Sequence, residues 1–192
     1  MPRNARRFRL LATALLCATL AAAHAHELPG NRLTLVQRDR NHLSMAFYLT
    51  YSEVLHRALA PNRTYPEFLA RCASLGAGEL EAELARAQAW LQTETRLALP
   101  SGQAVPISHW RWPDAARVRT LLREQAMRAT AEPGGRHTHE EPIEVRAEAT
   151  APQDLSAVTI RMPGAFQNVL IVSYRPAQTW VEAGSASPVI RF

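Results

Sequence analysis

His137-Thr138-His139 and His26 are the residues of this chain whose type and spacing come closest to chemistry. In extended backbone, side chains two apart point to the same face, so His137 and His139 would present two imidazoles together. Paired nitrogens of this kind suit copper, nickel or zinc. His26 offers a second route to the same chemistry. Cleavage after Ala25 would leave its free amine and its ring as a bidentate set for copper or nickel, completed by an imidazole from His42, His56, His109, His137 or His139. The same residues also have a plain reading. Ala23-His24-Ala25 is an ordinary processing triplet, and His137 and His139 lie beside Glu140 and Glu141 in a polar loop where hydration suffices.

Other reactive types are sparse. Trp110 and Trp112 flank Arg111 at alternate positions and could stack on a flat ligand, though such pairs more often pack where a strand meets a helix. Cys72 sits with Phe68, Leu69 and Leu75 on the apolar side of a helical pattern, where a buried inert thiol is expected. Carboxylates cluster at Glu140-Glu141 and at Glu79, Glu81 and Glu83, but in a loop and on a helix surface, not in a cleft that would raise a pKa. No nucleophile elbow, zinc-protease helix, phosphate-cradling glycine loop or dinucleotide fingerprint occurs. The sequence therefore reads as a non-enzyme, with no assigned cofactor beyond a possible copper or nickel ion.

The beginning of the chain gives an address. Arg3, Arg6, Arg7 and Arg9 precede an apolar run from Leu10 to Ala23, which ends in the small-x-small triplet: a secretory signal peptide over residues 1–25. Thr13 and Thr19 interrupt the run, which is short of the ~20 apolar residues of a membrane span. The expected product is one exported domain over residues 26–192, periplasmic or secreted, with no integral membrane segment. Removing the leader also removes four of the 22 basic residues, all of them arginine, and none of the 17 acidic ones. The formal charge of +5 thus falls nearly to zero. No basic stripe remains for a nucleic-acid partner.

The elements that would position these residues follow from periodicity. Arg32 to Gln37 and His42 to Thr50 alternate apolar and polar residues around a polar tip, a hairpin. Helical spacing then runs over 51–95 in three pieces. The second opens at Thr64-Tyr65-Pro66-Glu67, a capping box with proline in the first turn. Arg96 to Leu99 and Ala104 to Trp110 read as a second hairpin around Pro100-Ser101-Gly102-Gln103. A further helix is expected over about 113–130, with its arginines solvated. Beyond the loop Glu132 to Glu141, strand patterns return: Ile143 to Ala149 with one wet face, Val158 to Met162, and Asn168 to Tyr174, apolar on both faces and so expected to be central. Shorter strand-like stretches fall at 178–183 and 188–192. The class is α+β: an antiparallel sheet or open β-sandwich with a helical insertion at about 51–95 and one further helix.

His24-Ala25-His26-Glu27-Leu28 followed by Arg32-Leu33-Thr34-Leu35, with the later apolar-turn-apolar hairpin from Leu97 to Val105, resembles the extracytoplasmic segment of HupE/UreJ-type membrane proteins. That resemblance implies an early strand followed by a helical insertion, and a role beside a membrane transporter of nickel or a similar metal. The chain departs from the family in carrying no transmembrane helices after the domain. A free-standing accessory or binding module with a membrane-protein partner is the expectation.

Overall fold

The computed structural model describes residues 30–131 and 140–176, together with Ala183. The expected signal peptide over residues 1–25, His26, His137 and His139 lie outside these residues, as do the strand-like stretches after Pro176 apart from Ala183. In chain order the elements are β1 (Asn31–Asp39), β2 (His42–Leu49), α1 (Tyr51–Leu59), α2 (Tyr65–Ser74), α3 (Ala77–Glu94), β3 (Arg96–Ala98), β4 (Ala104–Val105), β5 (Ile107–Arg111), α4 (Ala115–Ala131), β6 (Ile143–Thr150), β7 (Thr159–Arg161) and β8 (Val169–Tyr174). A 3-10 turn, Gly164–Phe166, precedes β8. The fold is α+β, with a five-stranded sheet ordered β5-β6-β2-β1-β8 and a three-stranded sheet ordered β4-β3-β7.

Alternation decides which face of the larger sheet is covered. Leu33 and Leu35 on β1, Met45 and Phe47 on β2, and Val145 and Ala147 on β6 are buried. Against them pack Val54 and Leu55 of α1, Phe68 and Leu69 of α2, Leu84 and Leu91 of α3, and Leu122 of α4, in one continuous core. Each large apolar side chain placed there contributes about 1.5–3 kcal/mol. The residues between them, Thr34, Ala46 and Arg146, turn to the other face and are exposed or half-exposed.

Two polar anchors fix the start of α1 against this sheet. Asn31, almost fully buried, donates from Nδ2 to the Phe166 carbonyl at 2.6 Å and accepts the Thr50 amide at 2.8 Å. Thr50 itself makes no side-chain cap. The capping role falls to Glu140, whose Oε1 accepts the Ser52 amide at 3.1 Å from 88 residues away. A carboxylate at a helix N-terminus satisfies free amides and complements the helix dipole.

Several sequence expectations change. The larger sheet is mixed and not antiparallel, because β8 runs parallel to β1. Asn168 to Tyr174 does not form a central strand: β8 is last in the described order, and Leu170, Ile171, Val172 and Tyr174 are 38–53% exposed. Apolar residues on both faces fit a strand in a parallel pairing, but periodicity carries no information on how many neighbours that strand has. The second hairpin is shorter than expected. Pro106 ends it after Val105, which pairs with Leu97, and Ile107 starts a strand that pairs with Ala149 in the other sheet. Val158 to Met162 likewise joins the small sheet through β7, opposite β3. On α4, Arg119 is not simply solvated: it donates to the Leu75 and Gly76 carbonyls and ties α4 to the α2–α3 junction.

Candidate functional site

The face of the five-stranded sheet that no described element covers forms a shallow groove of about 330 Å³. Strand register arranges its side chains in three rows across the strands. The middle row runs Val172, Thr34, Ala46, Arg146, Arg111 from β8 to β5. One flanking row holds Tyr174, Val36, Ser44 and Glu148, and the other Leu170, Arg32, Tyr48 and Glu144. Thr34 and Ala46 are small, so the middle row is the floor and the bulkier flanking rows are its walls.

The β5 end of the groove depends on a bulge. The register of β5 against β6 shifts between Ser108 and Arg111, and His109 within it adopts a left-handed φ of 51°. An extra residue in one strand re-aims the side chains after it. Ile107 and Trp110 therefore both pack against the core, while His109 and Arg111 reach the groove. The inward placement lets Trp110 stack on Phe47 at 5.5 Å and on Trp112 at 5.4 Å, with Tyr51 6.4 Å beyond. Such pairs add ~0.5–1.5 kcal/mol each to area burial. Trp110 and Trp112 are thus packing residues at the margin of the core.

Charge on the groove is partly paired. Glu144 accepts Arg146 Nη2 at 2.8 Å and the Tyr48 hydroxyl at 3.1 Å, and the Arg146 contact holds its carboxyl below the ordinary range. Burial first, and then the Glu144 contact, push the Tyr48 hydroxyl upward. Arg32 lies 4.2 Å over the Tyr48 ring, a cation–π placement. Glu148 Oε2 faces His109 Nδ1 at 3.5 Å and His42 Nε2 at 3.8 Å. Arg38 reaches only the Ser44 hydroxyl, and Arg111 has no ion pair or hydrogen bond among the described residues. Four arginines against two glutamates leave this face positive. Arg111 and Arg146 are direct cross-strand partners, a like-charge pairing that is unfavourable by itself.

The histidines named from sequence separate into three groups. His42 and His109 meet at Glu148, and His109 and Glu148 line the groove. His56 is structural: its Nε2 is 2.8 Å from the Arg63 carbonyl and its ring packs on Tyr65 and Phe68. His26, His137 and His139 lie outside the described residues. Among the described residues, no group of three or more His, Cys, Asp or Glu side chains is placed to hold a metal ion. The Cys72 thiol is buried, which pushes its pKa up to about 11.

A second polar cluster lies inside the protein. Ser52 donates its hydroxyl to Glu140 Oε2, so the Tyr65 hydroxyl, 2.5 Å from Ser52 Oγ, donates to Ser52 in turn. Burial raises Tyr65 to about 12 and raises the Glu140 carboxyl as well. Ser52 is fully buried, so this chain of hydrogen bonds secures α1 and presents no nucleophile to solvent. The Tyr51 hydroxyl, also raised to about 12 by burial, lies near Gln88 but outside hydrogen-bond geometry.

The wet face that alternation gives Ile143 to Ala149 carries Glu144, Arg146 and Glu148, and the groove contains all three. Arg111 lines the groove too, which periodicity does not reveal. The signal available was the Trp110-Arg111-Trp112 alternation, but the bulge that decides its direction depends on pairing with β6. Among the described residues, no helix is long and apolar enough to cross a membrane. Comparison of the chain with protein-family models, with curated proteins and with solved structures gave no match.

Proposed function

We propose that this chain is an exported, non-catalytic binding module that docks a component of a membrane system on the open face of its five-stranded sheet. The observation that carries the proposal is one-sided cover among the described residues: helices bury one face, and the other presents a groove with a small-residue floor and, in Arg111, a guanidinium with no ion pair there. The distribution of perturbed groups supports a binding role over a catalytic one. Catalytic sites concentrate strongly shifted pKa values in a cleft. Here the largest shifts belong to Tyr51, Tyr65 and Cys72, none of which lines the groove. The membrane partner follows the resemblance to extracytoplasmic segments of HupE/UreJ-type proteins.

Fractionation of cells of the native host tests the proposal. The wild-type protein is expected to sediment with membranes, and Ala46→Trp, which fills the groove floor from a half-buried position, to remain soluble with an unchanged circular dichroism spectrum. Wild-type protein found wholly in the soluble fraction would contradict a membrane partner. Equal sedimentation of the folded Ala46→Trp variant would contradict the use of this face.

A further inference from the structure

The β5 end of the groove holds one cation and one anion that the described residues leave unused. Arg111 forms no ion pair or hydrogen bond among them. Glu148 is approached only by imidazoles, His109 Nδ1 at 3.5 Å and His42 Nε2 at 3.8 Å. Neither contact is a hydrogen bond, and His42 Nε2 has no other partner among the described residues. Nor does an ion pair join Arg111 to Glu148, although Arg111 stands opposite Arg146 and Glu148 is two residues further along β6. Arg146, Glu144 and Tyr48, by contrast, satisfy one another. The backbone that delivers Arg111 is also strained. His109 takes φ 51° inside a strand, at a bulge where glycine would adopt that conformation freely. The other left-handed non-glycine residue described, Gln167, closes a 3-10 turn. His109 closes no turn, and what its conformation achieves is the aim of Arg111 into the groove. Strained backbone of this kind concentrates where proteins bind or react.

We infer that this end of the groove binds a small zwitterion of the size of a dipeptide, with its carboxylate on Arg111 and its ammonium group on Glu148. Three observations carry the inference. The first is sign. An anion alone would meet Glu148 and a cation alone would meet Arg111 and Arg146, whereas a molecule carrying both charges satisfies both ends. Its carboxylate also relieves the repulsion between Arg111 and Arg146, which face each other across strands, through charge-assisted hydrogen bonds. The second is spacing. Residues two apart on a strand are separated by about 7 Å, so Glu148 stands that far along β6 from the level of Arg146 and Arg111. The free termini of an extended dipeptide are about equally far apart. The third is size: about 330 Å³ lies at the small end of ligand sites.

A zwitterionic lipid headgroup such as phosphoethanolamine carries the same two signs, but only two carbons separate its amine from its phosphate ester. The distance between Arg111 and Glu148 favours the longer molecule. This inference goes beyond the docking of a membrane component and does not depend on it.

Chemical-shift titration of the purified protein with L-alanyl-L-alanine tests the site. Binding tighter than about 1 mM is expected, with the largest shifts at the amides of His109, Arg111 and Glu148. N-acetylation or C-terminal amidation of the peptide should each weaken binding by about ten-fold or more, since each removes one charge. Glu148→Gln should cost as much as N-acetylation, and the acetylated peptide should lose nothing further on that variant, because both changes delete the same contact. Arg111→Met should stand in the same relation to the amidated peptide. The amide spectrum of each variant reports whether it is folded, and the blocked peptides test the wild-type site without any substitution. Affinity weaker than about 1 mM, equal affinity for free and blocked peptides, or equal affinity of wild type and folded Arg111→Met would overturn the inference. Tighter binding of phosphoethanolamine than of the dipeptide would overturn it as well. No membrane enters these measurements, so failure of the zwitterion site and failure of the docking face are told apart.

Discussion

Glu140 illustrates how a single residue can serve an element far away in sequence. Its carboxylate reaches the first turn of α1 and accepts the Ser52 amide and hydroxyl. Burial is the largest influence on it and lifts its pKa above the ordinary value of 4.5, against the lowering effect of the Ser52 contacts. A carboxyl whose folded-state pKa is raised binds its proton more tightly in the native state than in the unfolded chain. Its contribution to stability is therefore full below the unfolded pKa and is lost as pH rises through the folded one. Wild type should lose stability relative to Glu140→Gln over the interval that begins near pH 4.5 and ends above the raised pKa. Urea unfolding of both proteins across that interval measures it, and parallel stability profiles would contradict this account of Glu140. Nothing in the sequence around Glu140 announced its role. It lay in a polar loop next to Glu141, and only the closure of an 88-residue separation makes it a cap. The local capping device was readable by contrast: Glu67 accepts the Thr64 amide at 2.9 Å and hydroxyl at 2.8 Å, three residues apart, as the Thr64-to-Glu67 spacing predicts.

At the scale of elements, the turn between β3 and β4 combines local sequence with backbone necessity. Pro100 follows Leu99, whose carbonyl accepts the Gly102 amide at 2.9 Å, and Gly102 adopts φ +85°. A Cβ at Gly102 would meet nothing within 4 Å, so the cost of adding one is conformational only. Gly102→Ala should destabilise the protein by about 1 kcal/mol, the penalty of left-handed backbone for a residue with a side chain. A denaturation midpoint equal to wild type would contradict this. The hairpin and its turn were readable because the determinants are adjacent in sequence. The neighbouring β5 was not. Its direction follows from Pro106, which ends pairing with β3, and from the bulge at His109, which is set by β6. The position of β8 failed for a related reason: its six residues specify a strand, while β1 alone specifies the parallel pairing and its place in the order.

Among the described residues, helices and the small sheet cover one side of the five-stranded sheet and leave the other open. Alternation in β1, β2 and β6 encodes that division in the sequence, because each strand sets a mainly apolar row against a mainly polar one. What alternation does not encode is the register that brings Thr34, Ala46, Arg146 and Arg111 into one row. Nor did net charge reveal it. Residues 26–192 are together nearly neutral, yet this face holds four arginines against two glutamates. The excess is local, and a local excess is what orients a charged partner.

The central claim is that this open face, and not the helical surface, meets the partner. Site-specific photo-cross-linking in cells of the native host tests it most directly, with the reactive residue placed at Ser44 in the groove or at Glu81 on the exposed side of α3. A discrete cross-linked product from Ser44 and none from Glu81 is the predicted result. A product from Glu81 with none from Ser44 would contradict the claim.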